Sequence, residues 1–390
     1  MIELFQLGTA GNEPSDNRAL ASAFIRIKGI GFLIDAGEGT QMEICKCSFS
    51  CADIDYILIT HLHADHISGL MGVLLAAKSA SRVRPITIVG PVGIQRFVEN
   101  MYQVIPRFKY GIKFMEIQRD RKETSFEVND INIRICSVYH SVPCYAYSLE
   151  LLRKPKFDGE KADKLGIPPY LRGKMMNGEI ILHNGVSYSK SDFLSGPRKG
   201  LKVSYVTDTR PTSYIKEFIN GSDIVVIEGM YRDNREQDKA KLKKHMTWDE
   251  VASLVNNNDI GEVILTHYSP SLRIEKSDSV YLKSKIPNGS LGRDGLYREI
   301  KWEEDKKEVK EMKRIEDYRK RIVEKCYQDA GFGDAVLSIE PITAFKFKVL
   351  LVGDVTHIAY VYKSIKSMKD KYTNMSVVDD NYVFLSMIGN

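Results

Sequence analysis

Short β-branched runs bounded by turn residues recur through the first half of the chain, at 2–7, 23–27, 31–35, 56–60, 86–89, 131–138 and 145–152. Runs of this length and composition predict strands. Between them, apolar residues at Leu70, Met71, Leu74 and Leu75 fall at helical spacing and predict a helix over 67–79, with another over 92–104. The alternation resumes in the second half, with strands expected at 201–207, 224–228 and 263–266 and helices at 213–220 and 247–256. Strands and helices in alternation predict an α/β layered architecture.

Two stretches break the pattern. Residues 154–179 place Lys, Gly and Pro in quick succession around Gly166-Ile167-Pro168-Pro169 and carry neither period, which predicts a protruding, extended arm over about 153–179. Between Arg153 and Lys174 there are seven basic side chains against three acidic ones, so the arm is basic. Its candidate anion contacts are Lys154, Lys156, Lys161, Lys164, Arg172 and Lys174. From residue 301 the composition turns densely charged through 325, with Val309, Met312, Ile315, Ile322 and Val323 near helical spacing. This predicts a linker helix that opens a small α/β appendage, with strands at 345–352 and 377–385 and a helix over 355–371. The expected organisation is a main domain over 1–300, carrying the inserted arm, and an accessory unit over 301–390.

Composition narrows the classes. With 43% hydrophobic and 27% charged residues, the 390-residue chain reads as a folded soluble protein. A net charge of +5 permits an anionic partner without demanding one. No apolar run approaches the roughly 18–20 residues that span a bilayer, so a cytoplasmic protein with no membrane partner is expected. Six cysteines are too few for a disulfide framework, and Cys45, Cys47 and Cys51 lack a fourth metal ligand and read as ordinary thiols.

The chemistry concentrates in Thr60-His61-Leu62-His63-Ala64-Asp65-His66, directly after a predicted strand and before a predicted helix. Imidazole nitrogens and a carboxylate suit Zn²⁺ and similar ions, and a loop at a strand end can turn all four side chains toward one point. One loop cannot fill two metal shells. His140, Asp208 and His267 each follow another predicted strand, so all converge on one edge of a sheet. The set suffices for two metals, with His61, His63 and His140 on one, Asp65, His66 and His267 on the other, and Asp208 bridging.

With these residues, the sequence resembles the metallo-β-lactamase superfamily, and within it ribonuclease Z, the tRNA 3′-processing endonuclease. The closer resemblance is carried by Gly8-Thr9 with Pro14 and Arg18, by Asp35-Ala36-Gly37-Glu38-Gly39-Thr40-Gln41, and by Gly166-Ile167-Pro168-Pro169. Asp208-Thr209-Arg210-Pro211, His245 with Thr247, and Leu265-Thr266-His267-Tyr268-Ser269 complete it, over residues 1 to about 275. It implies an αββα sandwich with two Zn²⁺ ions per subunit, Mn²⁺ or another divalent ion being an alternative. It further implies an arm that grips precursor tRNA, and a homodimer in which one subunit's arm presents substrate to the other's metals. Cleavage after the discriminator nucleotide would leave a tRNA 3′-hydroxyl and a trailer 5′-phosphate.

Two divalent ions would neutralise a phosphodiester, lower the pKa of a water between them and stabilise attacking and leaving oxygens, so no side-chain nucleophile is required. Asp65 is the candidate general base. The resemblance also makes His245 the donor to the leaving 3′ oxygen, oriented by Glu228. The neighbours depart from the family pattern, with Met246 in place of Ser and Gly229-Met230 in place of Ala-Thr. The segment after His267 departs too, since Tyr268-Ser269-Pro270-Ser271-Leu272-Arg273 stands where the family has Phe-Ser-x-Arg-Tyr. Two alternatives are a phosphodiesterase of the same fold for small cyclic or aryl phosphodiesters, which has no use for an arm, and a non-catalytic RNA-binding protein, against which the intact ligand set argues.

Overall fold

The computed structural model describes residues 1–302, except 16, 104, 106, 120 and 121, and the backbone of four strands beyond them. Contacts divide the chain into Met1–Ile300 and Lys301–Asn390. In the first unit, two seven-stranded sheets carry the core. One runs in the order Leu296–Ile300, Ile2–Gly8, Ser22–Ile27, Ile30–Ile34, Ile54–Leu58, Ile86–Pro91, Ile112–Ile117. The other runs Gly289–Leu291, Glu262–Thr266, Ile224–Glu228, Arg198–Val206, Cys144–Arg153, Ile131–Val138, Glu123–Val128.

Each sheet is antiparallel on one side and parallel on the other. The central parallel strand Ile224–Glu228 is covered on both faces and buried at every position. One helical layer, with Leu70, Val73, Leu74 and Ala77 buried, packs on the first sheet. Another, with Ile215, Phe218, Trp248 and Val251, packs on the second. The sheets touch directly, for the Tyr147 hydroxyl on the second donates to the Ile59 carbonyl beside the first at 2.7 Å. This is the αββα sandwich. Among the described residues no helix is long and apolar enough to cross a membrane.

Several strands were not legible in the sequence. Ile112–Ile117 and Glu123–Val128 alternate exposed and half-buried positions, so their apolar signal is diluted. Gly289–Leu291 is three residues long, too short to show a period.

The arm corrects an expectation. It is neither extended nor finished at residue 179. Helices Gly159–Lys164 and Pro169–Met176, a hairpin of Ile181–His183 with Val186–Tyr188, and a 3₁₀ turn at Lys190–Phe193 enclose a small core of Ala162, Ile167, Met175, Ile181 and Phe193. Helices of six and eight residues are too short to declare a 3.6 period. Gly166 turns the chain between them at φ 64°, and Pro169 opens the second helix, where its missing N–H costs nothing.

In the second unit, the described backbone is a four-stranded antiparallel sheet of order Val336–Thr343, Lys346–Leu351, Tyr382–Met387, Thr373–Asp379. The single strand expected at 377–385 is thus a hairpin of two. The helices expected over 301–325 and 355–371 lie outside the described residues.

Candidate metal centre

His61, His63, Asp65 and His66 follow the strand Ile54–Leu58, His140 follows Ile131–Val138, Asp208 follows Arg198–Val206 and His267 follows Glu262–Thr266. The fold brings all seven to one edge, at the carboxyl ends of the strands. Asp208 and His267 sit in the left-handed region at φ 38° and 57°, as does Asp35 at 57°. Non-glycine residues rarely tolerate that conformation, and such strain collects at functional sites.

Asp208 divides the site. Its Oδ2 lies 3.7 Å from His61 Nε2 and 3.8 Å from His140 Nε2. Its Oδ1 lies 3.5 Å from His66 Nε2 and 3.1 Å from His267 Nε2. His63 Nδ1 joins the first group, 2.9 Å from His61 Nε2 and 3.4 Å from His140 Nε2. Asp65 Oδ2 joins the second, 3.4 Å from His66 Nε2 and 3.7 Å from His267 Nε2. Within each group one potential ligand atom per residue lies within 4.8 Å of the others. A third set, Asp208, His245 and His267, meets the same criterion, so His245 borders the second position.

The imidazoles are aimed from behind. His66 Nδ1–H donates to Asp35 at 2.8 Å, His140 Nδ1–H to the Lys244 carbonyl at 3.2 Å, and His61 Nδ1–H to Thr60 Oγ1 at 3.1 Å. The Thr60 hydroxyl in turn donates to Asp35. Each outer bond selects the tautomer that leaves the Nε2 lone pair facing inward, the form a metal needs. Burial lowers the pKa of His61, His63 and His140, which favours that neutral form. The Nε2 atoms of His66 and His267 are buried without a hydrogen-bond partner. Convergent lone pairs, unpartnered nitrogens and carboxylates between them fit divalent cations.

Burial works against the Asp65 and Asp208 charges, yet the surrounding imidazoles outweigh it and hold both carboxyls well below the ordinary range. Asp65 Oδ2 also accepts the Asn12 N–H at 2.9 Å. Next to this set, His245 Nδ1 lies 3.3 Å from Glu228 Oε1 and 4.0 Å from Asp208 Oδ2. Although burial disfavours the imidazolium, the Glu228 carboxylate more than compensates and the His245 pKa rises to about 9. Glu228 is held by the N–H groups of Thr209 at 2.6 Å and Met246 at 3.1 Å. Thus Asp65, His245 and Glu228 all line or support the same edge.

The family described as "Anti-Pycsar protein Apyc1" matches residues 2–184, under half of the chain and short of Asp208, His245 and His267. A "Ribonuclease Z" of Lachnospira eligens is 39% identical over 306 residues, covering 78% of this chain and 100% of that protein. Another, of Clostridioides difficile, is 40% identical over 310 residues, with the same coverage of each. The chain belongs to the ribonuclease Z family. Among solved structures, the short form of human tRNase Z superposes with a TM-score of 0.55 at 20% identity, over 77% of this chain and all of the other. The metallo-β-lactamase fold protein YhfI from Bacillus subtilis gives 0.54 at 16%, over 76% and 98%. Both agree with the sandwich.

The basic arm residues are divided by the structure. Lys154, Lys156, Lys161, Lys164 and Lys174 are exposed. Arg172 is not free: it donates to the Ile167 carbonyl at 2.7 Å and pairs with Asp163 at 2.6 Å, bracing the turn between the two arm helices. Lys161 reaches the Asp192 carbonyl at 2.7 Å and lies over the Phe193 ring. Lys154 Nζ lies 3.4 Å from Asp130 Oδ1, so three of the six are engaged, which a count of basic residues cannot show.

Three contributors escaped the sequence reading. Asp35 was visible only as part of a motif, with no sign that it braces His66. Gly11 is the second: a Cβ there would come within 2.6 Å of the His267 ring. The third is Arg210, whose guanidinium pairs with Glu250 Oε2 at 2.9 Å and donates to the His245 carbonyl, tying the His245 loop to the helix Trp248–Val255. Cys45, Cys47 and Cys51 stay thiols, with Cys51 buried and pushed up to about 12 by desolvation.

Proposed function

We propose that this chain removes the 3′ trailer from precursor tRNA, using two divalent cations, zinc foremost, held by His61, His63 and His140 on one side and Asp65, His66 and His267 on the other. The observation that carries the dinuclear reading is the division of Asp208, whose two oxygens face two separate histidine groups. When bound, such ions supply positive charge for the phosphate and a water of lowered pKa. Asp65, kept ionised by its imidazole neighbours, is the acceptor of the proton from the attacking water. His245, held protonated by Glu228, donates to the leaving 3′ oxygen. Glu228, fixed by two backbone N–H groups, keeps the His245 ring oriented.

The exposed lysines of the arm are the proposed backbone clamp, with affinity that falls steeply with salt. A homodimer and a cytoplasmic setting belong to the same reading. The test is incubation of the purified protein and Zn²⁺ or Mn²⁺ with a 3′-extended precursor tRNA. The expected products are a tRNA ending in a 3′-hydroxyl and a trailer carrying a 5′-phosphate; an interior cut, or none, removes the reading.

A further inference from the structure

Tyr139 stands apart from the other tyrosines around the metal centre. Tyr145, Tyr147, Tyr205, Tyr231 and Tyr268 are buried, whereas Tyr139, directly before the candidate ligand His140, is 54% exposed. Its backbone is fixed on both sides. Its N–H donates to Thr209 Oγ1 at 3.1 Å, and its carbonyl accepts the Arg210 N–H at 2.9 Å. Lys244 Nζ lies 4.9 Å from the ring centroid and also donates to the His140 carbonyl at 3.3 Å. Lys244 immediately precedes His245 and holds a left-handed φ of 59°. A large aromatic surface is therefore presented to solvent at the rim of the site, on a backbone held from both sides and with a cation against the ring.

An exposed aromatic beside a phosphodiester-cleaving centre is what base stacking uses, since every nucleobase offers a π-face. The side of the site decides which base. His245 delivers its proton to the 3′ oxygen that leaves, and that oxygen belongs to the last nucleotide of the mature tRNA. Lys244 directly precedes His245 and lies against the Tyr139 ring, so under that mechanism both stand toward the leaving 3′ oxygen.

We propose that Tyr139, backed by Lys244, is a stacking platform for the nucleobase on the upstream side of the cut. It is a substrate-positioning residue that discriminates nucleotides from simple phosphodiesters. This inference rests on the tRNA-processing reading, and the following experiment separates the two. Two precursor tRNAs are compared, one natural and one abasic at the last mature nucleotide, with kcat/KM measured for each. Wild type should prefer the natural substrate by roughly tenfold, the scale of one base stacked on one aromatic. Tyr139→Ala should bring that preference close to one, and Tyr139→Phe, which keeps the ring, should restore it. The ratio is internal to each protein, so partial loss of folded enzyme does not alter it. A wild-type ratio near one, or a wild-type-like preference in Tyr139→Ala, overturns the platform while leaving tRNA processing intact. Failure of wild type to cut either substrate overturns the processing reading, and the platform with it.

Discussion

His245 shows how a single residue's chemistry is set by what surrounds it. Its pKa of about 9 lies above the ordinary 6.5 because the Glu228 carboxylate outweighs the cost of burial. The stability this pair contributes is full below about pH 6.5 and is lost as pH rises through about 9. As proposed proton donor, His245 must be protonated, so kcat/KM for precursor tRNA should fall on the alkaline side near pH 9. Glu228→Gln removes the charge that raises the pKa, and the alkaline limb should shift to lower pH; an unmoved limb would separate Glu228 from the donor. Asp65→Ala deletes the proposed base and the acceptor of the Asn12 N–H. Cleavage should drop by at least ~10²-fold, the usual contribution of a positioned base, with far-UV circular dichroism unchanged. Retained turnover in a folded variant would take Asp65 out of the mechanism.

Elements explain what the sequence displayed and what it hid. The ligand residues were legible because each follows a buried apolar run, and five of the chain's eight histidines stand at or beside such ends. Asp35 was not, since a carboxylate at a strand end announces nothing about which imidazole it will meet across 31 residues. The arm was visible as composition and invisible as structure, because its helices are short and its core is five side chains. That core also dictates how the arm should be removed. Deleting 154–174 alone would strip Ala162 and Ile167 from Met175, Ile181 and Phe193 and expose them. The register pairs Arg153 with Arg198, so replacing 154–197 by a short turn closes the root cleanly. That variant should lose precursor tRNA cleavage yet hydrolyse a small chromogenic phosphodiester at the wild-type rate. Parallel loss of both activities would mean that the arm is no clamp.

At the scale of the molecule, the proposed cations tie together loops that leave four strands of two different sheets. A ligand that binds only the folded state at a thousandfold over its Kd adds about 4 kcal/mol of stability. Removing metal with a chelator should therefore lower Tm by several degrees, and Zn²⁺ or Mn²⁺ should restore it; an unchanged Tm would argue that the seven side chains hold no ion. The layered α/β character was legible from alternating strand and helix patterns, and the sandwich followed from the family resemblance. Its strand order was not legible, because Leu296–Ile300 returns to pair with Ile2–Gly8 across nearly the whole first unit.

The paired strands Cys144–Arg153 and Arg198–Val206 meet the metal edge at one end, near His140 and Asp208, and become the arm at the other. Nine or ten residues at ~3.3 Å each make them a ruler of about 30 Å. Anything held by the arm and cut by the same subunit has to bridge that length. A substrate too short to bridge it can be held at the arm's root or cut by that subunit, but not both at once.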